Sequence, residues 1–233
     1  MRLILLWINT ILILSLALTV GAQEIEITPE VTPEVLQLDM LVGTGLEPPF
    51  ELTLPDDWGF AHDTLLVDDI GELRPIPFSI YSGDVTGGQG FIVVLWGFPS
   101  VTNANPFSAD YAVPNLWIDG LRLLRLVILE AECNIGTDLQ RDYTIGGLEA
   151  VGTKFAAVDC PELEDTRGWF AGLAVDEMNF SFYMYTEPIQ AMDGPADKEL
   201  QAILDTVSFD VPAFLERFAE LTAEMTPEAT ESP

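Results

Sequence analysis

Hydrophobic and polar residues alternate in short bursts along most of the chain, with glycine, proline or acidic residues between the bursts. Phe50-Glu51-Leu52-Thr53-Leu54 alternates and stops at Pro55, which predicts a strand with one wet face. Residues 64–67 form a second, short strand candidate. Residues 76–81 and 91–95 flank the glycine-rich stretch 82–90, the composition of a hairpin connection. Between Leu116 and Ala131 the leucines, Trp117 and Ile128 return at helical spacing, while Asp119, Arg122 and Arg125 mark the opposite side; this is the expected main buried helix. Residues 148–158, 169–175 and 180–185 then follow as three strand candidates connected through Gly146-Gly147 and Glu177-Met178, which predicts an antiparallel meander. In the last of these, Phe180, Phe182 and Met184 face one way and Tyr183 and Tyr185 the other, the pattern of a central strand covered on both faces. Asp197-Lys198-Glu199 opens a short helix through Leu204, and a strand is expected at 206–209. Pro212 then starts a helix with Phe214, Leu215, Phe218 and Leu221 on one stripe. Strands, helix, strands and helix in that order define an α+β protein with an antiparallel β-sheet flanked by helices.

The ends of the chain read differently. Arg2 precedes an apolar run over residues 3–20, and Val20-Gly21-Ala22 offers small residues before Gln23, so residues 1–22 are expected to be a cleavable secretory signal. The run is 18 residues long, and an uncleaved N-terminal anchor is the competing reading. Residues 23–47 repeat Thr-Pro-Glu at 28–30 and 32–34 and read as an acidic linker; residues 225–233 read as a disordered acidic tail. Between them lie one domain at residues 48–210 and a C-terminal amphipathic helix at 211–224. Export places the protein outside the cytoplasm, secreted or held in the envelope. There an even count of two cysteines, Cys133 and Cys160, favours one disulfide over two buried thiols.

Four stretches carry a family resemblance. Leu54-Pro55-Asp56-Asp57-Trp58 is similar to the opening "LPxxW" element of the PsbP/Mog-type superfamily, and Ile145-Gly146-Gly147-Leu148-Glu149-Ala150 to its "GG-x-x-A" entry into a long strand. The aromatic strand 180–185 and the run "LQAILDTVSF" at 200–209 resemble its central strand and its closing helix and strand. The resemblance covers about residues 48–210 and implies a PsbP-like α/β/α sandwich. Proteins of this type are mostly accessory or binding modules: extrinsic subunits on the lumenal side of photosystem II, a Ran-binding nuclear protein, and exported bacterial proteins. The signal segment points to an exported bacterial member. The resemblance implies no shared catalytic set, and residues 97–114 and the cysteine pair lie outside its pattern.

Charge narrows the partners. The chain has 38 Asp and Glu against 9 Lys and Arg, a formal charge of −29, which opposes nucleic acid and anionic membrane surfaces as ligands. No basic residue falls between Arg2 and Arg74, where 13 acids do. The 48% hydrophobic content supplies a core and excludes a mainly disordered chain.

Each chemical motif has a plainer alternative beside it. His62 is the single histidine, there is no Gly-x-Ser-x-Gly elbow, and a surface imidazole is the simpler reading. Asp56, Asp57, Asp63, Asp68 and Asp69 crowd what reads as a loop-rich stretch, a weak calcium site set against a solvated acidic rim. Arg122, Arg125 and Arg141 are candidates for an anion contact, set against pairing with neighbouring acids such as Asp119. The glycines at 83–90 lack the Gly-Lys-Ser/Thr of a phosphate loop. Asn179-Phe180-Ser181 matches a glycosylation sequon but falls in a strand. Trp58, Trp96, Trp117 and Trp169 are expected in the core. No catalytic residue, cofactor or metal centre is expected. The expected function is an exported, non-enzymatic accessory or binding module acting on an unknown protein or envelope partner. A secreted hydrolase using carboxylates and a calcium-dependent envelope protein are the alternatives.

Overall fold

The computed structural model describes residues 47–69, 72–98, 133–161 and 163–225. Seven strands form one antiparallel sheet in the order β2-β3-β4-β8-β7-β6-β5. They are β2 (Gly59–Asp69), β3 (Glu72–Val85), β4 (Gly88–Gly97), β5 (Asn134–Ile145), β6 (Leu148–Val158), β7 (Thr166–Val175) and β8 (Met178–Glu187). Two meanders, β2-β3-β4 and β5-β6-β7-β8, meet where β4 pairs with β8. The aromatic strand at 180–185 is therefore central, as its two bulky faces predict, and both faces of it are buried. After β8 the chain passes through the cis Glu187–Pro188 bond, a 3-10 turn at Ile189–Asp193 and helix α1 (Ala196–Leu204). Strand β9 (Ser208–Phe209) and helix α2 (Val211–Met225) follow.

β1 (Phe50–Glu51) pairs with β9 in a separate two-stranded ribbon, Phe50 opposite Phe209. The alternation at 50–54 predicted a longer strand. The ladder stops after two residues because β9 offers no more backbone: Thr53 N–H donates instead to the Thr206 hydroxyl at 2.9 Å. Leu52 and Leu54 are still half-buried against the core, so the alternation reports contact with the core and not pairing.

The ribbon and α2 pack on one face of the sheet. Phe50 meets Phe180 and Phe182 edge-on or tilted at 5.9 and 5.8 Å, and Phe214 of α2 stands perpendicular to Trp96 at 5.6 Å. Aromatic pairs of this geometry add to the burial energy of their surface. Trp58, Trp96 and Trp169 are all buried as expected, and Trp117 lies outside the described residues. The opposite face also carries buried bulk in Phe155, Phe170 and Tyr183. The described helices account for one face only, and the helix expected at 116–131 lies outside the described residues.

The glycine-rich stretch at 82–90 is not a long loop. Only Thr86 and Gly87 form the turn, Gly87 with φ +96°, a region open to glycine. Gly83 and Gly90 are paired strand residues. A Cβ at Gly83 would fall inside the Trp58 indole, and one at Gly90 would lie 2.8 Å from Leu200 Cδ2 of α1. The glycines are the floor on which Trp58 and α1 rest. Glu199 of α1 ties the turn down from above, accepting from Thr86 N–H at 2.8 Å and the Thr86 hydroxyl at 2.6 Å.

Strand β5 has no counterpart in the hydrophobic pattern. Nearly all of its residues are exposed, and its register with β6 slips between Thr137 and Gln140, leaving Leu139 81% exposed. The bulge is held: the buried Thr153 hydroxyl lies 2.7 Å from the Asp138 carbonyl, Asp138 accepts Leu139 N–H at 2.8 Å, and Arg141 pairs with the Asp138 carboxylate. A bulged, charged edge of this kind discourages pairing with other chains. Cys133 and Cys160 are joined in a disulfide that closes the open end of the β5–β6 hairpin.

Candidate functional site

Strands β2 and β3 pair in full register, with Phe60 opposite Tyr81 and His62 opposite Ser79. Directly opposite residues share a face, so these four side chains stand together beside the aromatic ribbon. The rings of Phe60, His62 and Tyr81 lie 5.4 to 6.3 Å apart. Phe60 is 66% exposed, the largest exposed aromatic among the described residues, and His62 is exposed beside it. Tyr81 is buried and touches Phe50.

Ser79 lies beneath His62, its Oγ 2.8 Å from Nδ1, and it accepts the Trp96 indole N–H at 3.3 Å. The hydroxyl can accept from the indole and still share a hydrogen bond with Nδ1, in which the donor is set by the imidazole tautomer. Burial holds the His62 pKa below its ordinary value, with the nearby Glu47 carboxylate acting in the other direction. Burial likewise pushes the Tyr81 phenol up to about 12 against a hydrogen bond with Ser79.

A serine hydroxyl on an imidazole, with a carboxylate close by, has the makings of a nucleophile. Its surroundings give it another role. Ser79 is 0% exposed, in the middle of a central run of strand, closed over by Trp96 and Tyr81. A substrate carbonyl would have to displace the indole to come within reach of Oγ. As it stands, Ser79 satisfies the buried Trp96 indole N–H and holds the His62 imidazole through Nδ1. The Ser79 contact could not be read locally: 17 residues separate it from His62 and only the β2–β3 register brings them together.

The other sequence candidates disperse. Residues 59–69, of which the hydrophobic pattern predicts only 64–67 as strand, form the 11-residue strand β2, which spans roughly 35 Å. Asp56 and Asp57 lie in the turn before its start, Asp63 at its middle, and Asp68 and Asp69 at its far end, so the five do not converge. Asp63 is engaged with Thr64 N–H at 2.7 Å. Among the described residues no three His, Cys, Asp or Glu side chains gather into a metal-binding group. Arg141 is exposed and pairs with Asp138; Arg122 and Arg125 lie outside the described residues. Arg167 is likewise paired with Asp193 at 2.7 Å. Asn179 is buried within β8, which removes the sequon from any glycan. Among the described residues no helix is long and apolar enough to cross a membrane; the apolar run at 3–20 lies outside them.

An antiparallel seven-stranded sheet with two helices places the chain among α+β proteins. No protein-family model matches it, and no curated protein matches its sequence. Among solved structures it is similar to cyanobacterial PsbP (CyanoP) from Synechocystis sp. PCC 6803, with a TM-score of 0.44 and 11% identity, over 69% of this chain and 86% of that one. It is also similar to PA94 from Pseudomonas aeruginosa, a protein of unknown function, with a TM-score of 0.31 and 12% identity, over 72% of this chain and 99% of that one. Both are remote likenesses.

Proposed function

We propose that the protein is an extracytoplasmic binding module of PsbP-like type, without catalytic activity, and that it meets its partner through the β2–β3 face. One observation carries this reading: the described serine–imidazole pair has its hydroxyl sealed under Trp96, while Phe60 and His62 beside it face solvent. A reacting group must be reachable, and a recognition surface needs an exposed ring on a rigid support. The Cys133–Cys160 disulfide and the apolar segment ending in Val20-Gly21-Ala22 support a location in an oxidising compartment.

Treatment with a fluorophosphonate, which labels accessible activated serines, tests the choice between binding and hydrolysis. No adduct on Ser79 is expected at any pH at which the protein is folded. A Ser79 adduct that is lost in His62→Ala would establish a working nucleophile and overturn the reading.

A further inference from the structure

We draw no further inference here: the strongest candidate, the diagonal row of Arg141, Lys154 and Arg167 that the register places on one face of β5, β6 and β7 beside the stacked Tyr143 and Trp169 rings, carries none, because Asp138 and Asp193 already hold the two arginines and nothing in the structure shows what would displace them.

Discussion

Replacing both Cys133 and Cys160 with serine removes the one covalent bond that the fold adds to its backbone. The bridge joins residues 27 apart at the open end of the β5–β6 hairpin, whose other end is closed by the Gly146-Gly147 turn. In the chain-entropy account a loop of this length restricts the unfolded chain by about 3.5 kcal/mol. The hairpin lies at the sheet edge and its outer strand is largely exposed, so little packing is available to compensate. For a domain of this size the loss corresponds to a fall in Tm of about 10 °C. Urea unfolding followed by tryptophan fluorescence is a suitable assay, because Trp58, Trp96 and Trp169 are all buried. The variant should unfold at lower urea with a slope equal to or steeper than that of the wild type, because the unbridged unfolded chain is less compact. Coincident curves for oxidised wild type and variant, within about 0.5 kcal/mol, would refute the claim that the bridge restrains the unfolded state.

Four further outcomes follow from the packing and the titrating groups. Phe214→Ala empties the space beside Trp96 and should cost about 3–5 kcal/mol in chemical denaturation. Gly83→Val drives a side chain into the Trp58 indole and should cost roughly 1–3 kcal/mol, with a red shift in tryptophan emission as Trp58 is displaced. The phenols of Tyr81, Tyr143 and Tyr185 are each raised to about 12 from 10.0 by burial. The unfolded chain releases these protons first, so stability is full below pH 10 and is lost as pH rises towards 12. The His62 pKa lies below 6.5 in the folded protein, so the unfolded state takes up the proton first: stability is full above pH 6.5 and falls as the pH drops below it. His62→Gln should remove that acid limb from a plot of Tm against pH, leaving only the carboxylate-driven fall at lower pH.

What could be read in the sequence was whatever leaves a periodic trace. The central strand was legible because bulk on both faces, Phe182 against Tyr183, demands cover on both sides of the sheet. Helix α2 was legible because Phe214, Leu215, Phe218 and Leu221 recur on one stripe behind Pro212, and of these Phe214 and Phe218 are buried. Strand β5 was not, because an exposed edge has no face to bury and its residues look like loop. The reach of β2 was underestimated for a related reason: Asp63, Asp68 and Asp69 interrupt the hydrophobic pattern of an outer strand. The glycines at 83 and 90 were misleading, because close approach of Trp58 and Leu200 selects the same residue as a turn does. The Cys133–Cys160 pair followed from parity and compartment alone, and the strands bring it together. The candidate site was legible only as a lone His62, since Ser79, Tyr81 and Trp96 reach it through sheet register, which no local stretch of chain encodes.

The most direct test of a recognition surface on β2 is photocrosslinking from that surface. A photoreactive phenylalanine analogue at position 60 of the full chain, presented to an extract of the cells that produce it, should give one discrete adduct. The same probe at Glu177, in the exposed β7–β8 turn, should give none. Equal, diffuse labelling from both positions, or none from position 60, would contradict the account.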